Sequence, residues 1–421
     1  MALGSMFPHN SKFKVHIVLV VVLLVWGVVI GGSIFYSRSS KVIEHHTIPS
    51  AFTDSKSELV DNISKEEDCS KRPYIVEPKA QFDVAKKIAF ISRHVGTTAD
   101  FRYMAYHLQL ENVEFLDCKS WFGFRDTKEK YASLVKSGKR DEICSQYDAI
   151  FISDTLSDGW PFIMGEHKCK NVHFVVTNRF DYGVRDDEQK DFHDDVSRAL
   201  NRKDGYNLKL VVNNLFEIPF MESRGVVVPE KDKSPLIRPF GFTTLAASKE
   251  EVNKEPCLLI GRVDQDKELM HLLVKKHTGH DCKVLVGQYG GPRTLSRYHS
   301  IVVHLPYQVS IMKMWENLNY GTLMAIPSPK FFTKICNENT CGQTEHVFET
   351  KKVFKDTWHE YVDFYLPGWE KCFVQFDSWD HLKDIIEKRE YVNDINTCRD
   401  MMLDMRDENL KQWKKVFNDF Q

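Results

Sequence analysis

The chain has 421 residues, ten of them cysteine, and carries 57 Lys and Arg against 59 Asp and Glu, a formal net charge of −2. Balanced charge argues against nucleic acid as the main partner. The length behind the N-terminal region excludes one small domain and suits two lobes.

From Val15 to Tyr36 the chain reads VHIVLVVVLLVWGVVIGGSIFY, with His16 its only ionisable side chain apart from the terminal tyrosine. A helix of about 20 apolar residues crosses about 30 Å of hydrocarbon. A cleavable signal has a shorter apolar core of about 7–15 residues. Residues 15–36 are therefore expected to be a transmembrane signal-anchor, with residues 1–14 as a cytosolic tail. Lys12 and Lys14 precede the run and Arg38 and Lys41 follow it, so the positive-inside count is nearly tied. The short tail and the large following domain favour a single-pass type II orientation, with the domain in the lumen of the Golgi or endoplasmic reticulum. Residues 37–83 are polar and lack a sustained apolar period, as a stem would. Asn62-Ile63-Ser64 makes Asn62 a candidate glycosylation site. All ten cysteines follow the apolar run, which fits an oxidising compartment. Cys336 and Cys341 are close enough to close a small loop; the other pairings are not readable, and some cysteines fit simply as small buried side chains. No CxxC and no zinc-like Cys/His spacing occurs, so no metal site is expected.

Residues 84–240 repeat one pattern, in which short apolar runs end in small or polar residues and amphipathic stretches follow. The runs are 86–92, 113–117, 147–154, 171–178 and 208–214, and a stretch such as 101–110 has helical spacing. Nearly continuous apolar runs predict strands buried on both faces of a parallel sheet. After the Pro- and charge-rich segment 228–241 the alternation restarts, with runs at 257–263, 282–288, 300–306, 322–328 and 373–378. Helix-compatible stretches at 267–277, 309–320, 380–391 and about 395–420 separate or follow them. The expected fold class is α/β, with two Rossmann-like lobes at 84–240 and 241–421 and a terminal helix within the second. The interlobe cleft is the expected ligand site.

The second lobe resembles the nucleotide-sugar half of two-lobed Leloir glycosyltransferases of the GT-B fold, particularly the retaining family typified by sucrose and trehalose-phosphate synthases. LLIGRVDQDKE carries Gly261, Arg262 and Lys267 where that family ends a strand in Gly-Arg and places a Lys about five residues on. KVLVGQYGGPR (283–293) matches its Val-Gly strand end and Gly-rich turn. HLPYQVSIMKMWENLNYGTLMAIPS (304–328) matches its strand, its loop into a Glu-bearing helix and its small-residue turn, with Glu316 and Gly321 in place. The resemblance implies that Arg262 and Lys267 grip and neutralise a diphosphate, that Glu316 accepts from ribose hydroxyls, and that Gln308 stands near the donor hexose. The family has Glu where Gln308 stands, and Gln keeps both donor and acceptor atoms.

The first lobe resembles the family more loosely. SRHVGTTADF (92–101) occupies an acceptor-side loop, offering His94, Gly96 and Thr97. VVTNRFDYG (175–183) stands where the family often carries a catalytic-cleft His, and offers Asn178, Arg179 and Asp181 instead. His94, Arg179 and Asp181 are the candidate catalytic residues. The plainer reading makes His94 a hydrogen-bonded loop histidine, Arg179 and Asp181 a local ion pair, and Trp315, Trp358 and Trp369 core. Asp264 and Asp266 form an Asp-x-Asp string that is set aside as a metal site because of its lobe context. The expected activity is metal-independent transfer of a sugar from a nucleotide-sugar donor to a glycan or glycoprotein hydroxyl, retaining by resemblance, with no cofactor beyond the co-substrate. Two alternatives stay open. One is a non-catalytic lumenal binding protein on this fold; the other is an inverting transferase such as a fucosyltransferase, ranked lower because the Arg-rich strings of the α1,2/α1,6 enzymes are missing.

Overall fold

A computed structural model describes residues 86–418, apart from 230, 232–233, 250, 262–264, 288, 340 and 342–344. The apolar run at 15–36, the stem and Asn62 lie outside the described residues. Among the described residues no helix is long and apolar enough to cross a membrane.

All ten expected runs form strands. The first lobe runs β1 (Ile88–Ser92), α1 (Val95–His107), β2 (Val113–Leu116), α2 (Lys128–Lys136), α3 (Lys139–Gln146), β3 (Ala149–Ser153), α4 (Trp160–Ile163), β4 (Val172–Val176), α5 (Gln189–Leu200), β5 (Lys209–Val212) and α6 (Glu217–Ser223). The second runs β6 (Cys257–Ile260), α7 (His271–Thr278), β7 (Lys283–Leu285), α8 (Gly291–Tyr298), β8 (Ile301–Val303), α9 (Met312–Asn319), β9 (Met324–Pro327), α10 (Pro329–Glu338), α11 (Glu345–Phe354), β10 (Phe373–Phe376), α12 (Trp379–Lys388) and α13 (Ile395–Asn418). Local chemistry sets several starts. The Thr127, Ser328 and Ser378 hydroxyls accept from the amides of Lys130, Phe331 and His381 and cap α2, α10 and α12.

Each lobe is one five-stranded parallel sheet, ordered β2-β1-β3-β4-β5 and β10-β9-β8-β6-β7. Counted from its own first strand, each has the order 2-1-3-4-5. That is one of the two common doubly wound orders, the other being the six-stranded 3-2-1-4-5-6. Both are doubly wound. The middle strands β3, β4, β6, β8 and β9 are buried at every residue, while the edge strands β2 and β7 are half-buried. That division explains why the apolar runs read as continuous.

Both sheets belong to one compact unit spanning Gln81–Gln421. The terminal helix departs from its expected place. α13 reaches back to the first lobe, where the Trp413 ring lies 5.6 Å from Phe101 and Phe417 lies 5.5 Å from Phe151. It also leaves the second lobe bonded to the linker, Asn409 Nδ2 donating to the Arg238 carbonyl at 2.6 Å. Sequence periodicity shows an apolar stripe and not its partner, so this assignment needed the fold. Trp315 and Trp358 are core residues, and Trp369 packs edge-on to Trp315 at 5.5 Å. Disulfides join Cys144–Cys169, Cys257–Cys282, Cys336–Cys341 and Cys372–Cys398, and Cys118 is a buried free thiol.

Candidate functional site

A doubly wound sheet opens a crevice at the carboxyl ends of its strands, where the connections part to opposite faces. In the second lobe that point lies between β6 and β8. Gly261 follows β6 and donates its N–H to the Leu285 carbonyl at 2.8 Å. A β-carbon there would lie 2.7 Å from Val286 Cγ1, so the crowded edge strand requires glycine. Arg262 lies outside the described residues. Lys267 sits on the π-helical turn Gln265–Met270 with its side chain exposed. Asp266, on the same turn, points inward: Oδ2 lies 2.7 Å from His304 Nδ1, and Oδ1 accepts from the Leu305 amide at 3.0 Å. Of the Asp-x-Asp string, Asp264 is outside the described residues and Asp266 serves this buried contact.

The loop after β8 carries half-buried Gln308 into α9. Ile311 is extended and no side-chain cap of α9 occurs among the described residues; the Met314 amide returns to the Ile311 carbonyl at 3.2 Å, which leaves the Met312 and Lys313 amides to meet an anion. Glu316, read from the sequence as a buried carboxylate, is held by a neighbour on its own helix. It is 7% exposed and ion-paired to Lys313 Nζ at 2.6 Å, one turn back on the same helix face. Lys313 also stands 5.9 Å over the Tyr289 ring of the Gly-rich turn. In that turn Gly287, Gly290 and Gly291 have positive φ and feed α8. Gly321, at φ +78°, ends α9 as expected.

The first-lobe candidates are each held by local contacts, and His94 takes the plainer of its two readings. His94 caps α1, its Nδ1 accepting from the amides of Gly96 at 3.1 Å and Thr97 at 3.3 Å. With that lone pair engaged, the neutral ring carries its proton on Nε2, so it offers a donor and not a base. A β-carbon on Gly96 would lie 2.8 Å from His94 Cε1, which explains the glycine. The Thr97 hydroxyl is 2.7 Å from that of Ser92, within the loop. Asp181 is 6% exposed and bonds His193 Nε2 at 3.3 Å. Arg179 donates its amide to Asn178 Oδ1 at 2.9 Å, closing a local turn. Next to this group, burial followed by weaker repulsion from Asp181 pushes the Glu217 carboxyl up to about 8. Asp181 and Glu217 thus build a buried polar layer beneath the cleft.

The two lobes meet along a seam made by α1, α9 and the linker. A β-carbon on Gly96 would stand 3.6 Å from Met312 Cγ, so the start of α1 faces the start of α9. Asp100 Oδ1 accepts from the Phe240 amide at 2.8 Å, and burial raises the carboxyl to about 8, with Glu316 repelling its charge. Gly241, at φ +69°, lies on the α9 backbone, where a β-carbon would be 2.4 Å from the Trp315 carbonyl oxygen. A small opening at the seam is walled by Thr97, Asp100, Phe240, Met312 and Trp413 among others.

The structure therefore brings Lys313, Glu316, Gly96 and Thr97 to one seam, while Gly261 and Lys267 lie on the connection after β6 and Gln308 on the loop before α9. Lys313 was legible as the i−3 partner of Glu316. Asp100, Asp266 and His304 had no local signal, because their partners are 140, 38 and 38 residues away.

No protein-family model matches the chain, and no curated protein matches it. Among solved structures it is similar to the glycotransferase of kitacinnamycin, at 9% identity and TM-score 0.41, covering 79% of this chain and 98% of that one. It is also similar to the spinosyn rhamnosyltransferase SpnG complexed with thymidine diphosphate, at 8% identity and TM-score 0.38, covering 76% and 96%. The glycosyltransferase SnogD from Streptomyces nogalater follows, at 9% identity and TM-score 0.35, covering 79% and 99%.

Proposed function

We propose that this chain is a GT-B glycosyltransferase that moves a sugar from a nucleotide-sugar donor to a hydroxyl of a glycan or glycoprotein, without a metal and with retention. The observation that carries this reading is the uncapped start of α9, with Lys313 and Glu316 beside it, at the carboxyl end of the second sheet and facing the first lobe. The α9 amides and Lys313, joined by Lys267 and Arg262 from the β6 connection, supply positive charge where a diphosphate leaving group builds negative charge. Glu316 accepts from the ribose, and its ion pair with Lys313 couples the two contacts. Gln308 faces the hexose, while Gly96 and Thr97 line the acceptor side. His94, engaged as a cap, is best read as an orienting residue, and a retaining reaction needs no side-chain base if the leaving phosphate takes the acceptor proton.

The apolar run at 15–36 and the four disulfides support a type II anchor with the domain in the Golgi or endoplasmic reticulum lumen. A second reading, a binding protein that has lost turnover, is favoured by Gln308 in place of a carboxylate and by the capped His94.

A thermal-shift screen of the full-length protein against nucleoside diphosphates and their sugar conjugates tests the donor site, and donor hydrolysis separates the two readings. Turnover is expected to persist in EDTA. Glu316→Gln is expected to weaken donor binding with kcat little changed, and Lys267→Ala to lower kcat, by on the order of 10²-fold. Parent-like binding and turnover in both variants refute the assignment.

A further inference from the structure

The second-lobe crevice contains a carboxylate–imidazole pair that the proposed donor contacts leave unused. Asp266 is 1% and His304 3% exposed. They lie on the two connections that part at the switch point, the turn after β6 and the residue after β8. Asp266 joins those connections by two bonds, to His304 Nδ1 and to the Leu305 amide. A carboxylate only accepts, so Nδ1 carries the proton and Nε2, on the opposite edge of the ring, is turned away from Asp266.

His304 Nε2 is buried and has no hydrogen-bond partner among the described residues. An unmet polar atom of this kind is costly and calls for an explanation. Around the ring stand Phe364, 5.4 Å away between centroids, and the half-buried Tyr307, edge-on at 5.8 Å and adjacent to Gln308. Two aromatic carbon surfaces leave the nitrogen dry unless a ligand supplies the partner.

We infer that His304, held by Asp266, is a specificity-determining residue whose Nε2 accepts a hydrogen bond from a hydroxyl of the donor sugar once Tyr307 swings aside. The inference rests on the donor-site reading above and adds the residue that reads the hexose. A hydroxyl fits because it donates. An unprotonated phosphate offers only acceptors and does not match the lone pair of the neutral ring, and the α9 amides and Lys313 already serve the phosphates.

The test compares full-length parent and variants by calorimetric titration with uridine, thymidine and guanosine diphosphates and with their hexose conjugates. His304→Ala is expected to weaken the conjugate that the parent prefers by about 10-fold or more, as for one lost hydrogen bond in a buried site, and to leave the matching diphosphate within about twofold. Asp266→Asn keeps the volume and both contacts. Its amide oxygen accepts from Leu305 while its NH₂ donates to Nδ1, which moves the ring proton to Nε2, so the same selective weakening is expected there. His304→Gln, with a side-chain oxygen that still accepts, is expected to recover part of the loss. Equal weakening of conjugate and diphosphate, or parent-like affinity in folded His304→Ala, overturns the inference and leaves the donor site standing. If His304→Ala does not fold, the Asp266→Asn titration decides. A parent that binds no nucleotide overturns the donor-site reading itself, and this inference with it.

Discussion

Gly241→Ala probes the seam that the proposed function depends on. Two costs arise. An alanine at φ +69° takes on left-handed backbone strain of about 1–2 kcal/mol. Its β-carbon would also be placed 2.4 Å from the Trp315 carbonyl oxygen and 2.7 Å from the carbonyl carbon. Those are α9 backbone atoms and cannot rotate away, so linker and helix must part, adding about 1–3 kcal/mol as for overpacking. The linker is also tied to the end of the same helix, since Asn319 Nδ2 donates to the Gly241 carbonyl at 3.0 Å. The expected total is about 2–5 kcal/mol. Gly205→Ala is the control, since Gly205 has φ +82° but a β-carbon there would meet no atom within 4 Å. It is expected to show the strain alone, about 1–2 kcal/mol. Urea unfolding of the full-length protein in detergent, followed by tryptophan fluorescence, measures both. Donor affinity should fall in Gly241→Ala and not in Gly205→Ala. If the two variants unfold at the same urea concentration, the backbone contact between linker and α9 is not what joins the lobes.

Asp100 sets a pH dependence. Its folded value of about 8 lies above its ordinary 3.8, so the folded state holds a proton that the unfolded chain releases. The associated stability is full below about pH 4 and is lost as pH rises toward 8, with a slope of up to about 1.4 kcal/mol per pH unit. Asp100→Asn keeps an oxygen for the Phe240 amide and is expected to flatten urea midpoints between pH 5 and 8; an unchanged slope rules the explanation out. Cys118 donates its thiol to Asp158 at 2.9 Å, and burial and that carboxylate raise it far above the ordinary thiol range. Iodoacetamide at pH 8 is expected to label it only after denaturation, and native labelling would contradict its burial. Asn62 is expected to carry an endoglycosidase-sensitive glycan and the domain to resist protease in sealed microsomes; digestion in intact vesicles would reverse the orientation.

Much of this fold was legible because parallel strands buried on both faces leave unbroken apolar runs. Each of the ten runs became a strand, and Gly261, the Gly-rich turn and the Glu-bearing segment fell at a strand end, a helix start and on a helix, because such positions demand particular residues locally. Gly261, Gly290 and Gly321 show this, each forced by crowding or by positive φ. The i,i+3 pair of Lys313 and Glu316 was legible in the same local way.

Local sequence pattern was enough for the ten strands, their order and several places where the backbone bends sharply. Which distant groups meet depended on packing. It matched Cys144 with Cys169 and laid α13 across the first lobe. It also placed Asp100 against Phe240 and turned Asp266 from one half of an Asp-x-Asp string into the partner of His304. Those contacts join residues whose separation along the chain leaves no periodic trace. Their energies come from burial and from satisfying polar atoms away from water, which exist only once both sheets have packed.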